Sequence, residues 1–146
     1  MRITVLAGGV GAARFLRGLK SAAPDAEITV IGNTGDDIIL FGLHVSPDLD
    51  TVMYTLGGGI SEEQGWGRAG DTYAVLGELA AYRAGPDWFS LGDRDIATHI
   101  TRTSLLAEGR SWNFIQDMTG CSRATLAKIA KPACHQIASP KTSTPA

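Results

Sequence analysis

The alternation of apolar and polar residues over the first 33 positions predicts a strand, a helix and a second strand in succession. Residues 2–7 (RITVLA) are apolar and β-branched and end at a pair of glycines, as a buried strand does. After the glycines, Phe15 and Leu19 recur at helical spacing, and residues 27–33 (EITVIGN) repeat the strand pattern. This order is a βαβ unit, so the predicted fold class is α/β, with a Rossmann-like parallel sheet and flanking helices.

Further helices are predicted downstream from the spacing of apolar residues. They lie within residues 48–56, 71–85 and 96–109. The second of these helices is expected to begin at an N-cap supplied by Asp71 or Thr72. The segments between the helices are rich in glycine and aromatic residues and are predicted to be loops.

Composition narrows the class of protein. At 146 residues, 44% of them hydrophobic and 19% charged, the chain has the size and composition of one soluble globular domain. No apolar run reaches the roughly 18 residues of a membrane span, and no signal peptide is visible. Cys121 and Cys134 do not form a disulfide framework. We therefore expect a cytoplasmic protein that does not associate with membranes.

The glycines that follow the first strand are candidates for phosphate binding. Gly8, Gly9 and Gly11 would let backbone N–H groups approach a phosphate at the start of a helix. The dinucleotide fingerprint is incomplete, because Arg14 stands where its third glycine would be, and no Walker A lysine follows. The alternative is a tight strand-to-helix turn without a ligand.

Polar residues follow the second strand at the same edge of the predicted sheet. Asn33 and Thr34 could bind ribose or phosphate, and Asp36 and Asp37 could bind a sugar hydroxyl or a base edge. The alternative is an ordinary polar turn.

Asp48 and Asp50 are candidates for a metal site at the entry to the next helix. Mg²⁺ prefers one or two carboxylates together with water and substrate phosphates, so this spacing suits a metal-dependent phosphoryl or nucleotidyl step. The same pair would also serve as an ordinary helix N-terminus. Among the aromatic residues of the loops, Trp66, Trp88 or Phe89 could stack on a flat ring, or could instead fill the edge of a core.

Five segments, in their order and separation, resemble the 2-phospho-L-lactate transferase family, which also includes the phosphoenolpyruvate transferase of actinobacteria. The resemblance covers about residues 1–106. The segments are AGGVGAARFL, NTGDDI, PDLDTVMYTL, WGR and LGDRDIATHITRT.

The resemblance implies a Mg²⁺-dependent enzyme of deazaflavin (coenzyme F-420) biosynthesis. Such an enzyme moves a phospholactyl or phosphoenolpyruvyl group from a guanosine diphosphate-linked donor to a hydroxyl of the deazaflavin precursor and releases GMP. By the same resemblance the glycine turn would cradle the donor phosphates, with Asn33 nearby. Asp48 and Asp50 would bind the metal and orient or deprotonate the attacking hydroxyl, and Arg94 would help to bind deazaflavin or phosphate.

The rest of the chain departs from the family's pattern. Family members are longer, so we interpret residues 1–106 as the amino-terminal part of a truncated transferase domain. We expect the shortened chain to have impaired activity, and we do not expect it to form the homodimer of the family. Acidic residues predominate up to residue 104 and basic residues after it. Residues 107–133 resemble the helix-turn-helix of resolvase/invertase serine recombinases, and residues 134–146 are expected to be disordered.

This second resemblance leaves an alternative function open. In a helix-turn-helix, Arg123, Thr125 and Lys128 would face DNA. An ordinary helical hairpin would explain the same pattern. The alternatives to a transferase are therefore a DNA-binding remnant and a non-functional composite.

Overall fold

The computed structural model describes residues 1–86 and 88–110. Apart from residues 107–110, the predicted helix-turn-helix and the predicted disordered tail lie outside this part of the chain. Its elements, in order, are β1 (Arg2–Ala7), α1 (Gly9–Ala22), β2 (Glu27–Gly32), β3 (Ile38–Leu40), β4 (Leu43–Val45), α2 (Pro47–Leu56), α3 (Ala74–Ala81) and α4 (Asp93–Ala107).

The predicted βαβ unit is confirmed. Strands β1 and β2 pair in parallel, in a register that runs from Arg2 opposite Glu27 to Ala7 opposite Gly32. Helix α1 forms the crossover and packs its Leu16 face on the sheet. The chain is therefore an α/β protein with a parallel sheet and flanking helices.

One core lies on the face of the sheet that α1 and α2 cover. Its buried members are Ala7, Ala13, Leu16, Val30 and Val52. The opposite face of the sheet carries exposed apolar side chains in the described part of the chain, since Leu6 is 78% exposed and Ile31 is 36% exposed. The period-2 alternation of strands accounts for the difference, because successive side chains point to opposite faces.

A short antiparallel hairpin follows β2 and was not predicted from the sequence. Strands β3 and β4 pair from Ile38 opposite Val45 to Leu40 opposite Leu43. The two residues of the turn, Phe41 and Gly42, both have positive φ values, 53° and 76°. Such a turn matches the twist of two flanking strands.

The hairpin packs against α4 around a second core. This core consists of Leu40, Val45, Leu91 and Ile96. The side-chain hydroxyl of Thr103 on α4 also accepts a hydrogen bond from the backbone N–H of His44 at 2.8 Å.

Two predicted helix starts are wrong. Helix α3 begins at Ala74 with Tyr73 as its N-cap, not at Asp71 or Thr72, and α4 begins at Asp93 rather than at residue 96. The reason is that each helix is capped by an aspartate from the segment at the start of the other helix, an arrangement called here the exchange of caps. The Asp93 carboxylate accepts hydrogen bonds from N–H groups at the start of α3, and the Asp71 carboxylate accepts them from N–H groups at the start of α4.

Among residues 1–86 and 88–110, no helix combines the length and the apolar character that crossing a membrane requires.

Candidate functional site

The glycine turn after β1 is shaped by close contact with two polar side chains. A β-carbon at Gly8 would lie 2.6 Å from Asp48 Oδ2 and 3.0 Å from Asn33 Cβ, so a larger residue does not fit there. Gly9 has a φ of 69°, which L-residues with side chains rarely adopt. Gly11 lies in the first turn of α1 with open space around it, so neither steric factor requires glycine at that position.

Asn33 joins the ends of the two parallel strands to the start of α2. Its side-chain N–H donates to Asp48 Oδ2 at 2.9 Å and to Asp36 Oδ1 at 3.3 Å, and its side-chain oxygen accepts from the N–H of Gly35 at 3.0 Å. Its backbone N–H donates to the carbonyl of Ala7 at 2.9 Å. The glycine turn, Asn33 and Asp36 were predicted to meet at the carboxyl edge of the sheet, and the structure brings them together there. Asp48 also lies at this edge, which was not predicted. Thr34 lies in the same turn, where its carbonyl accepts from the N–H of Asp37 at 3.3 Å.

The Asp48 carboxylate lies beside the amino terminus of α1 and has no basic partner in the described part of the chain. Within the described residues no ion pair involves Asp48, and its carboxylate accepts the hydrogen bond from Asn33. No acidic residue lies in the first turn of α1, and Gly8 as N-cap provides no side-chain cap. The edge formed by Gly8, Gly9, Asn33 and Asp48 therefore combines the uncapped amino terminus of a helix with one carboxylate.

Asp50 has a different environment from Asp48, although the two lie only two positions apart on α2. It is buried, and both of its oxygens pair with the guanidinium of Arg102, one of them with Nη1 at 3.0 Å. Burial raises the pKa of the Asp50 carboxyl, and Arg102 opposes that change. The structure brings Asp48, but not Asp50, to the glycine turn, and a shared role of the two in metal binding stays a prediction.

Arg102 and His99, both on α4, extend the ion pair of Asp50 into a buried polar network. Arg102 Nη1 also donates to the carbonyl of His44 at 3.2 Å, and it lies 3.2 Å from His99 Nδ1. A guanidinium can only donate, so a hydrogen bond between these two groups has Nδ1 as its acceptor. The other ring nitrogen, Nε2, lies 3.5 Å from Asp95 Oδ1.

Tyr54 and Asp95 complete this network. The Tyr54 hydroxyl donates to Asp95 Oδ1 at 2.6 Å, and both residues are buried. Burial acts to raise the pKa of Asp95, but its interactions with His99, Tyr54 and Arg102 lower it overall. Burial, together with the nearby carboxylates, raises the pKa of Tyr54.

Three members of the network could hold a metal ion. Asp50, Asp95 and His99 each offer one ligand atom, and these atoms lie within 4.8 Å of one another. A cation there would compete with Arg102, which already pairs with both oxygens of Asp50. Mixed carboxylate and imidazole ligands suit a transition metal or Zn²⁺ better than Mg²⁺.

An aromatic cavity of about 340 Å³ opens beside this network. Trp66, Trp88 and Phe89, which were expected either to stack on a flat ring or to fill the edge of a core, all line it. Phe89 also packs against the second core. Trp88 and Phe89 meet edge to face with their ring centroids 5.4 Å apart. Apolar walls with a few convergent polar groups, here including Asp95 and His99, are typical of small-molecule sites.

The remaining predicted site residues lie elsewhere. Arg94 is exposed at the start of α4, and its Nη1 donates to the carbonyl of Ala69 at 3.0 Å. A role of Arg94 in binding deazaflavin or phosphate stays a prediction. Arg123, Thr125 and Lys128 lie outside the described residues.

The sequence reasoning missed Tyr54, Asp95 and Arg102 and assigned His99 to packing. A signal was present in the chain. Asp95, His99 and Arg102 are spaced by four and then three residues, which places three polar side chains on one face of a helix. The structure buries all three of these side chains.

Fold and site together define a class: an α/β protein with a glycine turn, an amide and a carboxylate at the carboxyl edge of a parallel sheet, where such sheets bind ligands. A family model described as 2-phospho-L-lactate transferase CofD matches residues 3–133. The chain belongs to this family. The match extends over residues 107–133, whose assignment to a helix-turn-helix stays a prediction.

Curated relatives carry a common name. The chain is 76% identical over 109 residues to a phosphoenolpyruvate transferase of Streptomyces griseus, an alignment that covers 75% of this chain and 34% of the relative. It is 68% identical over 117 residues to that of Thermobifida fusca, covering 75% and 36%. It is 50% identical over 122 residues to that of a Mycobacterium species (strain KMS), covering 75% and 37%. The chain spans about a third of the length of the curated relatives it matches.

Proposed function

We propose that this chain carries the donor-phosphate part of the active site of a transferase of coenzyme F-420 biosynthesis. The reaction would move a phosphoenolpyruvyl group from a guanosine diphosphate-linked donor to a hydroxyl of the deazaflavin precursor, with release of GMP. Membership of the CofD family supports the transferase class. The name that the relatives share supports phosphoenolpyruvyl over phospholactyl as the transferred group.

The observation that carries the proposal is the position of the Asp48 carboxylate. It lies against Gly8 at the amino terminus of α1, is held by Asn33 at 2.9 Å, and has no basic partner among the described residues. Backbone N–H groups at this terminus favour a phosphate. A phosphate bound there would be repelled by Asp48 unless a cation lay between the two anions.

Mg²⁺ fits this position by its ligand preference, because it takes one or two carboxylates and completes its shell with water and substrate phosphates. Asp48 would supply a carboxylate, and Asp36 is held beside it through Asn33. When bound, Mg²⁺ would neutralise the charge that develops on the phosphate oxygens during transfer. We assign Asp50 to holding α2 in place, since both of its oxygens already pair with Arg102.

The acceptor ring would occupy the aromatic cavity. Trp66 and Trp88 are 38% and 67% exposed although they line the cavity, so apolar ring surface is available there for stacking. The attacking hydroxyl must lose its proton during the transfer, and a positioned carboxylate can accept it. Asp48 would orient this hydroxyl or accept its proton, because it is the carboxylate that faces the glycine turn.

Binding of GDP to the 146-residue chain tests the donor site. We expect isothermal titration calorimetry to detect GDP binding in the presence of Mg²⁺ and a large loss of affinity without it. Asp48→Asn should weaken Mg²⁺-dependent binding by about tenfold or more, because the neutral amide is a poor ligand for a hard cation. Asp25→Asn, which removes a charge from an exposed turn, is the matched control and should bind as the wild type does.

Two results would contradict this assignment. GDP binding that is indifferent to Mg²⁺ would remove the metal from the donor site. Mg²⁺-dependent binding that survives Asp48→Asn but is lost in His99→Gln would move the ion to the buried group of Asp50, Asp95 and His99.

A further inference from the structure

Arg68 is a half-buried cation that lies on an aromatic ring and has no carboxylate partner among residues 1–86 and 88–110. Its guanidinium carbon is 5.6 Å from the centroid of the Tyr54 ring. Other arginines are paired: Arg17 with Glu62, and Arg102 with Asp50. A partly desolvated guanidinium that retains unused donors can bind an anion at little further cost in hydration.

The position of Arg68 relates it to the aromatic cavity. Tyr54, on which it lies, lines the cavity, and so do Trp66 and Gly67, the two residues before it in the chain. Arg68 is not itself one of the lining residues, but its guanidinium lies on Tyr54, which is one of them, and its backbone follows directly after two others.

The backbone of Arg68 is fixed by a small closed loop. Ile60 and Arg68 form an antiparallel bridge. On either side of it the N–H of Ser61 donates to the carbonyl of Gly67 at 3.0 Å, and the N–H of Ala69 donates to the carbonyl of Gly59 at 2.9 Å. A cation held on a fixed backbone loses less conformational entropy when it binds an anion.

We propose that Arg68 binds the phosphate ester of an aromatic ligand whose ring lies in this cavity. The proposal rests on the proposed function, because it takes the cavity as the ring site. The phosphate that Arg68 would bind is the one that the proposed transfer leaves on the hydroxyl oxygen of the ring's side chain. A guanidinium suits this role since its planar donors can form two parallel hydrogen bonds to phosphate oxygens. Lysine would provide the charge without that geometry.

Riboflavin and FMN are suitable probes, because they share a three-ring system and a ribityl chain and differ by one phosphate. Quenching of flavin fluorescence measures binding of each to the 146-residue chain. We expect the wild type to bind FMN about tenfold more tightly than riboflavin, which corresponds to one charge-assisted contact. Arg68→Gln should remove this preference and leave riboflavin binding unchanged, and Arg68→Lys should retain part of it. Arg2→Gln, which removes a charge from the exposed start of β1, should keep the full preference.

The outcomes separate the two proposals. If the wild type binds neither flavin, the cavity is not a ring site, and the acceptor part of the proposed function falls together with the role of Arg68. If both flavins bind and Arg68→Gln still prefers FMN, Arg68 does not bind the phosphate, although the ring site stands. A thermal melt of each variant shows whether the fold is intact. If Arg68→Gln has a lowered melting temperature, Arg68→Lys is compared with Arg2→Gln instead. A weaker preference for FMN in Arg68→Lys than in Arg2→Gln would support the role of Arg68. An equal preference in these two variants would overturn the proposal.

Discussion

The neighbouring residues Asp36 and Asp37 are both exposed as whole residues, yet their carboxyl groups have different surroundings. Asp36 accepts a hydrogen bond from Asn33 at the carboxyl edge of the sheet. The carboxyl of Asp37 instead accepts one from the buried Ser46 and lies near Arg102 and Asp50. Desolvation there raises the pKa of Asp37 from 3.8 to about 6, against the opposing effects of Ser46 and Arg102.

Asp37→Asn tests this environment through the pH dependence of stability. Because the pKa of Asp37 is higher in the folded than in the unfolded chain, the folded protein retains the proton between pH 3.8 and about 6. The wild type should therefore lose stability relative to Asp37→Asn as the pH rises through this interval, and the difference should be constant above it. Urea unfolding of both proteins at several pH values measures the difference. If the difference does not change with pH, the carboxyl is as well solvated in the folded chain as in the unfolded one.

At the scale of secondary structure, α3 and α4 are joined by the exchange of their caps. Asp71 Oδ1 accepts from the N–H of Arg94 at 2.8 Å and Oδ2 from that of Asp95 at 3.2 Å. In the other direction, Asp93 Oδ1 accepts from the N–H of Val75 at 2.9 Å, and Oδ2 accepts from the Thr72 hydroxyl at 2.6 Å. The Thr72 and Val75 hydrogen bonds lower the pKa of Asp93. The start of each helix therefore depends on the other.

Asp71→Ala should destabilise the fold by about 1–2 kcal/mol, the usual effect of losing an N-cap. Two N–H groups at the start of α4 would lose their acceptor, and the backbone before α3 would lose the contact that positions it. Chemical denaturation of the variant gives the difference in the free energy of unfolding. Asp25→Ala, at an exposed turn, is the control, and an equal change in the two variants would show that the cap contributes nothing.

This exchange of caps also shows where prediction from sequence succeeds and where it stops. Local patterns predicted β1, β2, α1 and α2, because periodicity and glycine turns act over neighbouring residues. The starts of α3 and α4 were predicted wrongly, since their caps come from residues about 20 positions away. The β3–β4 hairpin was missed because its three-residue strands are too short for an alternating pattern, and its turn places Phe41, not a residue typical of such turns, at positive φ.

The candidate site, too, was predicted only in part. The glycine turn and residues 33–37 were predicted to meet because parallel strands end at one edge of a sheet, whereas the position of Asp48 beside them was not predicted. The network of Tyr54, Asp95 and Arg102 was not, since it depends on how α2 packs against α4 through the hairpin.

At the scale of the whole described chain, two cores are connected by a buried ion pair. The first core joins the β1–β2 sheet to α1 and α2, and the second joins the hairpin to α4. Asp50 on α2 and Arg102 on α4 pair between them, and Arg102 also donates to the carbonyl of His44 at 3.2 Å. Because α2 also carries Asp48, this pair fixes the element that presents a carboxylate to the glycine turn.

Arg102→Met should therefore destabilise the protein by about 3–5 kcal/mol, because the buried Asp50 carboxylate loses its partner. The double variant Asp50→Asn with Arg102→Met should be less destabilised than the sum of the two single variants, since it buries no unpaired charge. Urea unfolding of the wild type and the three variants completes this cycle. Additive effects would mean that the two side chains stabilise the fold independently, and the ion pair would then not be what holds α2 against α4. A coupling of several kcal/mol would instead show that the ion pair holds α2, the helix that also carries Asp48, against α4.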